Sequence, residues 1–263
     1  MSSSVATAIR AALLTGQPRT KIMAARKAAR DWRLGRLTFV FDAEMPERPA
    51  WPEELDLRSP ARMPKRGRGG SERNLLALWH ALAHIEFVAI DLALDMAGRF
   101  GAEMGREFVS DFLSVAADEA MHFALIDRKL RSLGSHYGAL PAHDGLWQAA
   151  HETHADVAAR LAVVPMVLEA RGLDVTPAML ERIRRSGDDA GARILERILD
   201  DEIRHVAFGA KHFRETSLTR DETPRELWRN LVRRHFRGAL KPPFNDSARL
   251  AGGLPLDWYS GIA

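Results

Sequence analysis

At 263 residues, with 46% hydrophobic and 28% charged content, the chain has room for one sizeable domain with extensions. It contains no cysteine, which excludes disulfides, thiolate zinc sites, cysteine-ligated iron–sulfur clusters and catalytic thiols together. The net charge of +3 hides a division, because residues 1–73 carry 15 Lys or Arg against 8 acids, 74–216 carry 15 against 22, and 217–263 carry 8 against 5.

Residues 1–36 read as one or two short helices, with Ile9, Leu13 and Leu14, then Ile22, Met23 and Trp32 as their apolar positions. The stretch from Ser4 to Gly16 has one Arg and a weak apolar block, unlike a signal peptide, and no apolar run approaches the roughly 18 residues that span a bilayer. A cytoplasmic location without membrane attachment is the expectation. Asp42 to Pro64, rich in Pro, Glu and Arg, should be an irregular segment draped over the helices. Lys65 to Gly70 reads as a basic linker, and Ser71 offers an N-cap.

Four long helices are then predicted. The first covers Asn74 to Arg99, ending near Gly98 and Gly101, and the second runs from about Glu103 to Leu133, stopped by Gly134. A loop through Tyr137 and Pro141 leads to a third helix from about Leu146 to Arg171, which Pro165 should kink. A short connecting helix beginning near Thr176-Pro177 precedes the fourth, from about Asp189 to Glu215. Pro224 to Phe236 suits a further helix, and the tail from Lys241 should dock through Trp258 and Tyr259. The expected division is a basic arm over 1–71, a helical bundle over 72–216, and a C-terminal helix with docking tail over 217–263. The fold class is all-α.

The chemistry lies in a duplicated pattern. Asp118-Glu119-Ala120-Met121-His122 and Asp201-Glu202-Ile203-Arg204-His205 each contain Glu-x-x-His, and a lone glutamate, Glu86 or Glu169, stands 33 residues before the Glu of each. With 17 Glu and 10 His, about 0.65 chance matches to Glu-x-x-His are expected, so the repeated offset and the surroundings carry the signal. A helix brings positions three and four apart onto one face. Phe108, Phe112, Val115, Glu119, His122, Ile126, Leu130 and Leu133 share such a face. So do Leu195, Ile198, Glu202, His205 and Gly209. Trp79, Ala83, Glu86, Ile90 and Leu94 form a third stripe, and Ala155, Ala158, Ala162, Met166 and Glu169 a fourth.

Four carboxylates aimed at an apolar interior must be neutralised, paired with cations or bound to metal. Two divalent ions would balance four carboxylates, and mixed carboxylate and imidazole ligation suits iron or manganese. The predicted ligands are therefore Glu86, Glu119, His122, Glu169, Glu202 and His205. Iron, manganese or a mixed pair would suit these ligands. Asp118 and Asp201 are the natural carboxylates to orient the histidines. His80, His84 and His212 fall off the ligand stripes and are assigned to packing or the surface. His143 and Asp144 would line an entrance or cap the third helix.

At these motifs the chain resembles the ferritin-like superfamily and, more narrowly, a bacterial ferritin-like family catalogued as a domain of unknown function. The resemblance rests on His80-Ala81-Leu82-Ala83-His84-Ile85-Glu86, Val115-Ala116-Ala117-Asp118-Glu119, Pro141-Ala142-His143-Asp144-Gly145-Leu146-Trp147, Leu168-Glu169-Ala170-Arg171-Gly172-Leu173-Asp174-Val175-Thr176-Pro177 and Asp201-Glu202-Ile203-Arg204-His205-Val206. It covers most of 72–213, with relatedness around Pro242 to Arg249. It implies a ferritin-like four-helix bundle with extensions, Glu119 and Glu202 bridging two metals, and Glu86 and Glu169 as terminal ligands.

The expected function is that of a di-iron oxidoreductase that activates dioxygen to oxidise or hydroxylate an unidentified small substrate, drawing on an external electron donor. A ferroxidase or metal-handling protein is a second reading. A hydroxylase acting on a modified tRNA base is a third, implied by distant similarity to such an enzyme within the superfamily and consistent with the basic arms. Tyr137 and Tyr259, the only tyrosines, lie more than a helical turn in sequence from every predicted ligand, which disfavours a stored tyrosyl radical.

Overall fold

In the computed structural model, residues 3–59, 62–64, 71–218 and 220–262 are described, and they form an all-α protein with only two-residue strands. The predicted Lys65–Gly70 linker lies outside them. The chain forms two compact units, Met1–Trp147 and Gln148–Ala263.

The first unit opens with strand β1 (Ser3–Ser4) and helices α1 (Val5–Leu13) and α2 (Pro18–Arg33), as the apolar spacing predicts. Ser4 caps α1 by accepting from the Thr7 amide, and Pro18 starts α2, where a missing N–H costs nothing. Strand β2 (Leu37–Thr38) pairs in parallel with β1, and β3 (Leu57–Arg58) with β4 (Ala142–His143).

Helix α3 (Glu72–Met104) begins at the predicted cap, with Ser71 Oγ accepting from the Asn74 amide. It does not end at Gly98 or Gly101 but passes through both. Those glycines serve close packing instead. A Cβ on Gly98 would lie 2.3 Å from Met45 Sδ, and one on Gly101 would lie 2.6 Å from Val109 Cγ2. The helix stops at Gly105, whose φ of 90° favours glycine, and α4 (Arg106–Ser132) returns beside it.

The most apolar 18-residue window of α3 has mean hydropathy 1.5, so the helix is long and apolar enough to cross a bilayer, contrary to the run-length reading of the sequence. Yet 67% of that window is buried within the protein. This is what a core helix requires. The segment after Asp42 lies along it as expected, since Trp51 Nε1 donates to Asp91 Oδ2 at 2.8 Å and Arg99 Nη2 donates to the Pro46 carbonyl at 3.1 Å.

In the second unit the predicted third helix is not continuous. After α5 (Gly145–Glu152) the chain turns, leaving Ala155 exposed outside any helix, and re-enters α6 (Val157–Val163) under an N-cap from Asp156. Val164–Glu169 is a π-helix, marked by the Ala170 amide donating to the Pro165 carbonyl five residues back. Pro165 has no amide proton for the α-helical ladder, so the backbone adopts the wider turn. Helix α7 (Ala170–Arg185) follows and runs through Pro177 without interruption, replacing the separate connecting helix the sequence suggests.

Helix α8 (Asp189–Ser217) carries the predicted buried stripe, Leu195, Ile198, Glu202, His205 and Gly209. At Gly209 the Pro165 ring approaches so closely that a Cβ would sit 2.4 Å from Pro165 Cβ. Helix α9 (Pro224–His235) starts with a capping box between Thr223 and Glu226. Short helices α10 (Asp246–Ala251) and α11 (Leu256–Tyr259) dock the tail. Trp258 lies 5.9 Å from Trp228 between ring centroids, Tyr259 Oη donates to Asp246, and the buried Arg249 guanidinium grips Asp174 at 2.7 and 2.8 Å.

Candidate metal centre

Within the first unit, α3 supplies Glu86 and α4 supplies Glu119 and His122, all three buried. The i, i+3 spacing stacks Glu119 over His122 on one face. His122 Nδ1 lies 3.3 Å from Glu119 Oε2 and 3.3 Å from Glu86 Oε2. Glu86 Oε2 is solvent-excluded and, despite that proximity, makes no hydrogen bond of acceptable geometry.

Burial, and then the neighbouring Glu119 carboxylate, push the Glu86 carboxyl well above its usual range. Burial also disfavours the charged form of His122, but the carboxylates of Glu119 and Glu86 outweigh it and push the imidazole up to about 11. Without metal the cluster thus retains protons that a cation must displace.

In the second unit, α8 carries Glu202 and His205, both buried, with His205 Nδ1 3.8 Å from Glu202 Oε2. Glu169 closes the π-helix and is half-buried. Asp201 is buried and accepts from Arg197 Nε at 2.7 Å and from Arg204 Nη2 at 3.2 Å, while Asp118 is half-buried.

Of the six predicted ligands, Glu86, Glu119, His122 and Glu202 form a buried group whose ligand atoms all lie within 4.8 Å of one another and which could hold a metal ion. Glu169 and His205 are not members of that group. The donors are carboxylate oxygens and imidazole nitrogen, without sulfur, a set that fits a divalent transition metal. The solvent-excluded Glu86 oxygen fits the same need, since a buried acceptor is costly unless a proton or cation meets it.

Around this centre the fold assembles groups that sequence distance obscured. Tyr137 is buried against Phe87 and Phe123, the chain neighbours of Glu86 and His122, with centroid separations of 5.1 and 5.2 Å. Its hydroxyl lies 2.9 Å from His84 Nδ1, and His84 Nε2 lies 3.0 Å from the His143 carbonyl. A carbonyl only accepts, so Nε2 carries the proton and Tyr137 donates to Nδ1.

Burial lowers His84 to about 4, keeping it neutral, and raises the Tyr137 phenol. His80 is likewise neutral, lowered to about 4 by burial, and its Nε2 accepts the amides of Gly138 and Leu140. His212, also buried, reaches Glu215 Oε2 at 2.7 Å. His80 and His84 therefore pack and organise the loop after α4, and His212 packs within α8, matching the packing role assigned to all three. Asp144 forms an ion pair with Arg48 at 2.7 Å.

A second element missed in the sequence is Lys21 of α2, fully buried and paired with the fully buried Asp91 of α3 at 2.5 Å. Its signal would have been a lysine four residues before Ala25 and seven before Ala28, on the buried side of an amphipathic helix.

These observations define an all-α protein with a buried carboxylate and imidazole group able to accept a metal ion. By sequence, the chain belongs to the family described as "Protein of unknown function (DUF455)", whose profile matches residues 14–260. An "Uncharacterized protein" of Haemophilus influenzae is 41% identical over 218 residues, covering 80% of this chain and 75% of that one. No solved structure matches.

Proposed function

We propose that the chain is a ferritin-like dinuclear carboxylate protein in which Glu86, Glu119, His122, Glu169, Glu202 and His205 hold two metal ions, iron in the leading reading, and that it is an oxidoreductase acting on an organic substrate. The observation that supports it best is the buried grouping of Glu86, Glu119, His122 and Glu202. When bound, an iron pair would supply the redox chemistry for dioxygen-dependent oxidation.

The chain's own residues would set geometry and environment. Arg197 and Arg204 fix Asp201, and the π-helix at Val164–Glu169 sets where Glu169 projects. π-Turns of this kind recur at functional sites. Phe87, Phe123 and Tyr137 form an aromatic wall that would keep water from the ligand carboxylates.

Elemental analysis of the purified protein tests the reading. About two metal ions per chain are expected, with lower occupancy in both Glu119→Ala and His205→Ala. One ion per chain would reject the dinuclear centre, and occupancy untouched by either substitution would reject the ligand set. Optical spectra of anaerobically reduced and air-exposed protein would then separate redox iron from inert binding.

A further inference from the structure

Helix α2 is charged out of proportion to its surroundings. Residues 17–36 carry seven Lys or Arg against a single acid, Asp31. Lys21 is consumed internally by Asp91, and Asp31 is shared between Lys27 at 2.5 Å, Arg36 at 3.3 Å and Arg30 at 3.7 Å. Arg26 and Arg33 are exposed, and neither meets an acid among the described residues. Positions 19, 26, 30 and 33 follow helical spacing, so their guanidinium groups form one ridge about 21 Å long at 1.5 Å per residue.

The ridge borders a depression. Between α2 and α4 lies a groove of about 1100 Å³ whose walls include Arg26, Lys27, Arg30, Arg33 and Arg106, together with Asp118. A second groove of about 710 Å³ shares Ile22 and Met23 with it and continues past Arg19 to His136, with Glu54 in its wall and Arg131 paired there with Asp127 at 2.9 Å. Trp32, half-buried in the first groove, donates from Nε1 to Ser110 Oγ at 2.8 Å and carries the Arg106 guanidinium 5.4 Å above its ring. That stacking leaves the guanidinium edge available as a donor fork.

We propose that this groove binds the phosphate backbone of a single-stranded nucleic acid. Guanidinium groups match phosphate geometry in a bidentate way, and several along one line suit a polyanion of regular charge spacing better than a single small anion. The concave shape admits a strand but not a planar bilayer. Met23, 63% exposed at the junction of the grooves, and the rim of Trp32 offer apolar surface for bases. The inference is independent of the metal centre, and its failure would leave that reading untouched.

Fluorescence anisotropy of the full chain with labelled 20-nucleotide RNA and DNA strands of mixed sequence tests it. If Arg26, Arg30, Arg33 and Arg106 each meet a phosphate, log affinity should fall with log salt at a slope of about −2.8, or about fifty-fold between 50 and 200 mM. Arg26→Ala with Arg33→Ala should reduce the slope to about −1.4 at unchanged helicity, whereas Arg26→Lys with Arg33→Lys should preserve it. Arg193→Ala, an exposed change on α8, should have no effect. Equal binding of both strands would assign recognition to phosphate alone, and a preference for RNA would add its 2′-hydroxyl. Absent or salt-independent binding, equal loss in Arg193→Ala, or binding only to phosphatidylserine vesicles would overturn the proposal.

Discussion

Two helical glycines of the second unit should respond to the same substitution with opposite sign. In Gly209→Ala the new methyl would lie 2.4 Å from Pro165 Cβ and 2.5 Å from its Cγ, where ordinary contact begins near 3.4 Å. The obstacle is a proline ring within a π-helix, with no rotamer to escape into, so α8 and the π-turn must separate by about 1 Å. Overpacking of that kind costs about 3 kcal/mol at its upper end, and alanine's better helix propensity returns about 1 kcal/mol, leaving a net loss of about 2 kcal/mol. At about 2–4 °C per kcal/mol the midpoint should fall by about 4–8 °C.

Gly172 on α7 has nothing within 4 Å of the same methyl, so Gly172→Ala should gain about 0.5–1 kcal/mol. Thermal unfolding of metal-free protein followed by circular dichroism measures both. A Gly209→Ala protein as stable as the parent, or a Gly172→Ala protein equally damaged, would refute the close approach of Pro165 to α8. Under the proposed ligand set, in which Glu169 closes that π-turn, Gly209→Ala should also lower metal uptake.

The buried Lys21–Asp91 pair should respond asymmetrically. Lys21→Met alone strands a buried carboxylate and should cost about 3–5 kcal/mol in urea unfolding, while Lys21→Met with Asp91→Leu should recover most of the loss; equal instability of single and double variants would contradict the pairing. The single variant should also depend on pH. In the parent, Asp91 is raised by burial from 3.8 to about 6 even beside Lys21, so the stability contributed by its protonated form is full below pH 3.8 and is lost as pH rises through 6, and removing the Lys21 cation moves Asp91 further up. The penalty of Lys21→Met should therefore be smaller at pH 5 than at pH 8, and a penalty flat across that range would count against a charged Asp91. At the entrance to α3, Ser71→Ala removes the longer of the Asn74 amide's two contacts, the 3.4 Å one to Ser71 Oγ, and leaves the Ser71 carbonyl at 2.9 Å, so it should cost only about 0.5 kcal/mol by chemical denaturation; a loss above about 1.5 kcal/mol would contradict the retained acceptor.

The long amphipathic helices were legible because their period is local. The stripes through Glu86, Glu119 with His122, and Glu202 with His205 proved buried except at Leu133, the last position of the second, and Ser71 marked the start of α3 by chemistry confined to one turn. Glycine and proline misled where tertiary packing decided their role. Gly98 and Gly101 look like terminators but make room for Met45, Phe41 and Val109. Pro177 looks like a helix start yet lies within α7, whereas Pro165 was correctly read as a disturbance but not as a π-turn. Tyr137 is 51 residues from Glu86 in sequence, and only the return of the chain after α4 seats it against Phe87. Pairings of this kind, like that of Lys21 with Asp91, have no local signature.

The placement of Lys21 changes what the described part of the basic arm is. A cation from the basic arm completes the charge balance inside the helix that also carries Glu86, so the arm is a structural member of the core and not a detachable accessory. A chain trimmed to begin at Ser71 would leave Asp91 without its counterion and without the Trp51 donor. Tags and fusion partners therefore belong ahead of the arm, never in its place.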